Sequence, residues 1–365
     1  MRAPMSEGSD RAPGPPVVVL GDEPSPKSRR IVEDLWGRTP SGALSLDQWR
    51  AAAGAGERLP RPPWLRTEAV DAAGVPAEWV WRSDDALATD VSATDVAATD
   101  VAATDASAAD VAATDLSDVG AGRSAEGPVI LVLHGGGFIV CSIGTHRVLG
   151  ARVAHAVGGR SLVLGYRLAP EHPFPAAVHD AAAAYGWLLD EGVDPSRIVF
   201  FGDSAGASLC LSASLVARAR GLPMPRALVL ISPGIDLTFA APSHTANAGT
   251  DPFSRIDCPD RVVEWYLAGA DPTQPLASPA FADFTGLPPI LVMVGPDEVL
   301  VDDARTTVDR AVVAGVDATL VMVTGAFHTW LGYAGELPEA DRALAYLAEF
   351  ILLKSPGTTP FTGHR

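Results

Sequence analysis

The sequence predicts an α/β fold in which a mostly parallel central sheet is covered by helices on both faces. Of the 365 residues, 47% are apolar, which is enough for a large core. From about residue 123 onward, short aliphatic and β-branched runs alternate with longer amphipathic stretches. This alternation is typical of strands buried on both faces with helices between them. Glycine-rich motifs directly follow two of the apolar runs.

The first third of the chain is less regular. Residues 1–28 are rich in Pro, Gly and Ser, a composition that predicts disorder. Residues 29–83 carry several Trp residues and short amphipathic stretches. We expect them to contribute to a cap and to the first strands, with one strand at 78–82. The apolar run Val17–Leu20 is too short for a signal-peptide core or a membrane span, so we expect a soluble cytoplasmic protein.

A low-complexity tract occupies residues 84–122. Thr-Asp-Val or a close variant recurs every five residues, and 84–118 hold nine Asp but no Lys, Arg or Glu. A five-residue period builds no single face of an α-helix. A pentapeptide solenoid would need several stacked coils, which this tract cannot supply. We therefore interpret it as an insertion in a surface loop that carries no chemistry.

Residues 123–365 are predicted to form the main domain. Strands are expected at 129–133, 161–164, 197–201, 227–231, 290–294 and 319–323. Helices are expected at 145–157, 176–189, 205–220, 302–314 and 338–352. Residues 238–282 interrupt the alternation. Ligands bind beyond the carboxyl ends of strands in such sheets, so the residues that directly follow strands are the candidates for a site.

The segment Gly202-Asp203-Ser204-Ala205-Gly206 links the strand at 197–201 to the helix at 205–220. Its glycines permit a sharp turn in which a side chain would collide with neighbouring backbone. The turn lifts the Ser204 hydroxyl above the sheet, and the helix start directs free N–H groups to the same point. Ser204 is therefore the candidate nucleophile.

A second motif, His134-Gly135-Gly136-Gly137, follows the strand at 129–133. Backbone without side chains can approach a substrate closely. The N–H groups of Gly135 and Gly136, with that of Ala205, are therefore candidate donors to a developing oxyanion. A phosphate-binding loop is the alternative, but the motif lacks a following Lys-Ser/Thr and the GxGxxG spacing. We expect His134 to be a structural hydrogen-bonding residue.

His328 is the candidate general base. Of the eight His residues, only His328 falls between the last predicted strand and the last long helix. With a nucleophile turn of this kind, the chain order is nucleophile, acid, histidine. Asp297 and Glu298 both follow the strand at 290–294, and either could orient the imidazole. Position alone does not choose between them.

Together these motifs resemble the bacterial hormone-sensitive lipase family of esterases (type IV), which belongs to the α/β-hydrolase superfamily. The likeness runs from about residue 127 to the C-terminus and more weakly through the region after Ser28. It includes His-Gly-Gly-Gly-Phe at 134–138, the nucleophile motif at 202–206 and Phe-His at 327–328. The most specific piece is Tyr-Arg-Leu-Ala-Pro-Glu-His-Pro-Phe-Pro-Ala at 166–176.

The resemblance implies an α/β-hydrolase fold with a helical cap, built from the N-terminal region and from about 238–282. It gives Ser204 and His328 the roles already inferred, with the oxyanion hole at Gly135, Gly136 and Ala205. The family often carries Asp-Pro-Leu-x-Asp after the strand that precedes the acid. The first Asp of that pattern falls on Glu298, which is therefore preferred over Asp297. This Glu and the Asp-rich tract depart from the family pattern.

The expected activity is hydrolysis of short-to-medium acyl esters through an acyl-enzyme on Ser204. Its partner is a small-molecule ester, and the chemistry needs no metal and no organic cofactor. Lactone, carbamate or amide hydrolysis by the same residues is an alternative. A non-catalytic ligand-binding protein is disfavoured because the set of residues is complete. A peptidase of this fold would need a large gating domain, and a true lipase would need a long apolar lid segment. Neither is apparent in the sequence, so both are disfavoured.

The overall charge and the cysteines exclude further classes. A net charge of −17 argues against nucleic-acid and anionic-membrane partners, which select basic surfaces. The three cysteines are widely spaced and form neither a disulfide framework nor a metal-binding pattern. By analogy with the family, a homodimer is an open alternative to a monomer.

Overall fold

Within the part of the chain that the structure describes, nine strands form one sheet. The computed structural model describes residues 17–38, 45–54, 61–83, 127–252 and 258–353. The Asp-rich tract at 84–122 lies outside these ranges. The strands are β1 (Val17–Leu20), β2 (Leu65–Asp71), β3 (Pro76–Arg82), β4 (Val129–Leu133), β5 (Arg160–Leu164), β6 (Ile198–Asp203), β7 (Ala227–Ile231), β8 (Ile290–Val294) and β9 (Ala318–Val323). Their order in the sheet is β1-β9-β8-β7-β6-β4-β5-β3-β2.

The sheet is parallel from β1 to β5 and antiparallel at its other edge. Strand β3 pairs antiparallel with β5, and β2 pairs antiparallel with β3. Every residue of β4, β6, β7 and β8 is buried. Consecutive buried apolar residues are expected where helices cover both faces of a sheet. The mostly parallel α/β architecture predicted from the sequence is confirmed.

The main helices divide between the two faces of the sheet. The helices are α1 (Pro26–Arg38), α2 (Leu46–Ala53), α3 (Ile143–Ala156), α4 (Ala176–Asp190), α5 (Ala205–Ala219), α6 (Ser243–Ala246), α7 (Cys258–Arg261), α8 (Val301–Val313) and α9 (Pro338–Leu353). Leu131 and Leu133 of β4 point into a core with α4, α5 and α8. Ile130 and Val132 point into a second core with α3 and α9. Neighbouring residues of one strand thus serve opposite cores.

The prediction of disorder for residues 1–28 is wrong for residues 17–28. Strand β1 pairs parallel with β9, and Val17 lies opposite Leu320. The N–H and hydroxyl of Ser25 donate to the carboxylate of Glu339 at 2.6 and 3.0 Å. The Ser28 hydroxyl donates to the carbonyl of Gly325 at 2.5 Å. The open edge of β9 supplies backbone partners that the composition of the segment cannot reveal.

The six strands and five helices predicted within residues 123–365 are all present, with ends that differ by at most two residues. The predicted strand at 78–82 is the main part of β3. Strand β2 was not predicted. It is an edge strand whose residues are largely exposed or half-buried, so it has no continuous apolar run.

The long connection between β7 and β8 packs against helix α2. It contains α6, α7 and a π-helix at Val262–Leu267. Trp265 of the π-helix meets Trp49 of α2 edge to face, with ring centroids 6.1 Å apart. The adjacent Tyr266 stacks on Phe138, which follows β4, at a centroid distance of 3.8 Å. We call the described residues of this connection, 232–252 and 258–289, the β7–β8 segment.

None of the helices in the described ranges combines the length and apolar character needed to cross a lipid bilayer.

Candidate active site

Ser204 lies in the tight turn between β6 and α5. Its backbone has φ 54° and ψ −120°, a conformation that non-glycine residues rarely adopt. Its N–H donates to the carbonyl of Ile231 at 2.9 Å, which fixes the turn against β7. A Cβ at Gly206 would lie 1.9 Å from the carbonyl oxygen of Leu133, and one at Gly202 would lie 2.4 Å from Gly206 backbone. Both glycines of the motif are therefore required by close backbone contact.

His328 lies in the loop after β9 and faces Ser204. Its Nε2 is 3.2 Å from the Ser204 hydroxyl oxygen. Its Nδ1 is 3.2 Å from Oε2 of Glu298. The imidazole thus bridges a hydroxyl and a carboxylate, the arrangement required for a base that takes a proton from a serine.

Glu298 lies in the loop between β8 and α8 and is fully buried. Its Oε1 accepts hydrogen bonds from the Ser232 hydroxyl at 2.9 Å and from the Gly295 N–H at 2.7 Å. These bonds leave Oε2 for His328. The neighbouring Asp297 is exposed to solvent. The structure therefore brings Glu298, and not Asp297, to His328.

The surroundings of His328 favour its protonated form. Burial opposes the charge, but the hydrogen bond and charge of Glu298 outweigh it, with help from the charges of Asp251 and Asp203. The pKa of His328 is consequently raised above its ordinary value of 6.5. A base with such neighbours is stabilised when it accepts a proton.

The Gly-rich loop differs from the prediction at Gly135. The N–H of Gly135 donates to Oδ1 of Asp203 at 3.0 Å, so it is not available to an oxyanion. Gly136 has φ +104°, and a Cβ there would lie 2.4 Å from the carbonyl oxygen of Val140. Within the described residues, no acceptor receives the N–H of Gly136, Gly137 or Ala205. The sequence shows three adjacent glycines, but nothing in it indicates which of their N–H groups already donates a hydrogen bond within the protein.

Asp203 and His146 form a second carboxylate–imidazole pair, next to the Gly-rich loop. The sequence analysis did not predict this pair. Oδ1 of Asp203 is 3.0 Å from Nε2 of His146. Burial disfavours a charged Asp203, but the charge and hydrogen bond of His146, with help from the charge of His328, outweigh it and hold the pKa of Asp203 below its ordinary value. The presence of Asp within the nucleophile motif was the one available signal.

His134 is structural, as predicted. Its Nδ1 is 2.7 Å from the carbonyl oxygen of Gly135, and its ring stacks on Tyr166 at a centroid distance of 4.1 Å. The Tyr166 hydroxyl donates to the carbonyl of His134 at 2.6 Å. Burial lowers the pKa of His134 to about 3, so it is neutral and holds the loop by neutral hydrogen bonds.

The chain is similar in sequence and in fold to known hydrolases. A family model described as alpha/beta hydrolase fold matches residues 130–332. The acetyl-hydrolase of Streptomyces hygroscopicus is 45% identical over 228 residues, which cover 62% of this chain and 76% of that protein. The crystal structure of an esterase from the bacterial hormone-sensitive lipase family superposes with a TM-score of 0.73. It is 37% identical, and the match covers 92% of this chain and 99% of that chain.

The chain belongs to the hormone-sensitive lipase family of α/β-hydrolases. A further structure, of an esterase crystal soaked with p-nitrophenyl butyrate, superposes with a TM-score of 0.75 at 35% identity. That match covers 90% of this chain and 98% of the other. Membership makes the chain a carboxylesterase-type hydrolase.

In this α/β-hydrolase, Arg50 of α2 links the N-terminal region to two loops of the main domain by hydrogen bonds and an ion pair. Its guanidinium donates to both carboxylate oxygens of Glu171 at 2.7 and 2.6 Å. It also donates to the carbonyls of Ile139 and Ala169 at 3.2 and 3.0 Å. The bond to Arg50 lowers the pKa of Glu171 to about 2. Helix α2 is thereby attached directly to the loop that continues from the glycines.

Proposed function

We propose that the chain is a serine carboxylester hydrolase that cleaves short-to-medium acyl esters through an acyl-enzyme on Ser204. The observation that carries the proposal is the continuous chain of contacts from the Ser204 hydroxyl through His328 to Glu298. In this reading Ser204 is the nucleophile, His328 the general base and Glu298 the residue that orients the imidazole.

The reaction proceeds in two halves. The Ser204 oxygen bonds to the ester carbonyl carbon while its proton passes to Nε2 of His328. His328 then gives this proton to the departing alcohol oxygen as the C–O bond breaks, which leaves the acyl group on Ser204. Water attacks the acyl-enzyme in the same way, with His328 taking its proton and returning it to Ser204. The products are an alcohol and a carboxylic acid.

The oxyanion formed in each half needs hydrogen-bond donors. We assign this role to the N–H groups of Gly136 and Ala205, with Gly137 in the place first given to Gly135. The support is that these three N–H groups have no acceptor among the described residues. Backbone donors that are already oriented before the reaction lower the activation barrier, because they need not reorganise as the negative charge develops on the oxygen.

We further propose that α2 and the β7–β8 segment form a cap that shapes the acyl and alcohol pockets. The aromatic stack of Phe138 on Tyr266 supports this, since both rings are buried directly beside the Gly-rich loop. On this proposal, the two rings limit the space for a long acyl chain. The similar esterase soaked with p-nitrophenyl butyrate supports the choice of short-to-medium acyl groups.

The test is hydrolysis of p-nitrophenyl esters from acetate to dodecanoate by the wild type and by Ser204→Ala. We expect the short esters to be cleaved fastest and Ser204→Ala to lose about 10³-fold or more in kcat. Ser214→Ala is the matched control, since Ser214 is a buried serine of α5, the helix that follows Ser204, and its hydroxyl donates to the Cys210 carbonyl at 2.8 Å. Retained activity in Ser204→Ala, or a folded wild type inactive on every ester, would refute the proposal.

A further inference from the structure

The loop that carries Glu298 is held by side chains from residues 243–251 of the β7–β8 segment. The Asn247 amide donates to the carbonyls of Pro296 and Glu298 at 3.2 and 2.8 Å. The Thr250 hydroxyl donates to the carbonyl of Asp297 at 3.0 Å. Three consecutive carbonyls are thus bonded to two side chains of a different part of the fold.

The same segment completes the hydrogen bonding of the next residue, Val299. The Ser243 hydroxyl donates to the Val299 carbonyl at 2.6 Å. The Val299 N–H donates to Oδ2 of Asp251 at 3.0 Å. Residues 296–299 therefore take their partners from residues 243–251, and the position of Glu298 depends on that segment.

Asp251 differs from Ser243, Asn247 and Thr250 because its side chain carries a charge. It is 2% exposed. The carboxylates whose charge acts on His328 are Glu298 from the β8–α8 loop, Asp251 from the β7–β8 segment and Asp203 from the end of β6. Oδ1 of Asp203 also lies 3.0 Å from Nε2 of His146. A buried carboxylate near an imidazole stabilises the protonated ring, and burial limits screening by solvent.

We propose that Asp251 is a positioning residue of the hydrolysis: it fixes the Glu298 loop through Val299, and its charge stabilises the imidazolium of His328. The inference rests on the proposed function, in which His328 gains a proton in both halves of the reaction. It assigns a second task to the β7–β8 segment. Residues 243–251 then set the geometry of the proposed acid as well as contributing to the cap.

The test compares Asp251→Asn with Asp297→Asn in the full chain. An Asn at position 251 keeps an oxygen that can accept the Val299 N–H, but it removes the charge. Asp297→Asn removes one charge from an exposed residue next to Glu298 and is the matched control. The titration of His328 is followed by NMR of labelled histidine, assigned with His328→Gln, and kcat is measured on p-nitrophenyl acetate.

We expect Asp251→Asn to move the midpoint of the His328 titration down by about half a pH unit or more, a threefold change in its proton affinity. We expect kcat to fall by about threefold to tenfold, while Asp297→Asn leaves both quantities near those of the wild type. A midpoint in Asp251→Asn equal to that in Asp297→Asn would overturn the inference. A fall in kcat without a shift of the midpoint would overturn it too, because a merely structural defect gives that result.

The titration needs no substrate, so this result is independent of the proposed function. Failure of that function would appear instead as activity that survives Ser204→Ala, or as a folded wild type inactive on the ester series. Asp251→Ala, which removes both the charge and the acceptor, is expected to lose more kcat than Asp251→Asn, by about a further threefold or more. If Asp251→Ala is no slower than Asp251→Asn, the contact with Val299 does not position the loop.

Discussion

Oδ1 of Asp203 lies 3.0 Å from the backbone nitrogen of Gly135, so the turn that carries Ser204 and the Gly-rich loop are joined by a hydrogen bond. The same oxygen lies 3.0 Å from Nε2 of His146. A Cβ at Gly135 would lie 2.5 Å from the other oxygen of Asp203. The two halves of the proposed oxyanion hole are therefore held at a fixed separation by one carboxylate.

Asp203→Ala should misplace the Gly-rich loop, because the N–H of Gly135 and the ring of His146 both lose their contact with the carboxylate. We expect kcat to fall by about tenfold to a hundredfold and the free energy of unfolding by about 1–3 kcal/mol. Ester kinetics and urea unfolding measure the two effects. Asp190→Ala is the control, since Asp190 is exposed at the end of α4. Wild-type kinetics in Asp203→Ala would show that the loop holds its position without this bond.

Replacement of the two adjacent acidic residues should have very different effects. We expect Glu298→Ala to lower kcat by about 10³- to 10⁴-fold, since His328 loses the carboxylate that orients it and stabilises its charge. Asp297→Ala should stay within about twofold of the wild type, because Asp297 is exposed. Both are measured by kcat on one p-nitrophenyl ester. An equal or larger loss in Asp297→Ala would reverse the assignment of the acid.

The pH dependence follows from the raised pKa of His328. His328 must be neutral to take the proton of Ser204, so kcat/KM should rise with pH through the pKa of His328 in the free enzyme. Because that pKa is raised, the midpoint of the rise should lie above 6.5. Acid release from an alkyl ester, followed from pH 5 to 9, avoids a leaving group that titrates in the same range. A midpoint at or below 6.5 would contradict this assignment.

Replacing two glycines near the site by alanine should destabilise the protein only where the new Cβ would collide with backbone. We expect Gly206→Ala to be destabilised by about 3 kcal/mol or more, because its Cβ would lie 1.9 Å from the carbonyl oxygen of Leu133. Gly234→Ala should be tolerated, since its Cβ would come no closer than 3.6 Å to Leu300. Thermal unfolding of both variants measures the difference. Equal melting temperatures would contradict the contact argument.

Much of the fold could be predicted because its central strands are short runs of buried apolar residues. Strands β4, β7 and β8 were placed with their observed bounds for this reason. Strand β1 was missed because Val17 and Val19 are exposed and Pro and Gly flank the run. Strand β1 forms because the edge of β9 is open to pairing, and the local sequence around residues 17–20 gives no indication of that edge.

The candidate site was predictable where a motif fixes local backbone and unpredictable where distant contacts decide. Ser204 and His328 follow from the strand–turn–helix motif and from chain order. Position after the strand at 290–294 did not choose between Asp297 and Glu298, and only the family resemblance favoured Glu298, which lies 3.2 Å from His328. The occupied N–H of Gly135 likewise depends on Asp203, 68 residues away.

The pairing of β1 with β9 has a consequence for the order in which the molecule can assemble. Ser25 and Glu339 are bonded although 314 residues separate them in the chain. A ribosome that synthesises from the N-terminus releases β1 long before β9 exists, and closing so long a loop carries a large entropy cost. Strand β1 therefore cannot pair until β9 has been made. The carbonyl of Gly325, three residues before His328, accepts a hydrogen bond from the Ser28 hydroxyl, so the loop of the proposed base gains this support only after Gly325 has been synthesised.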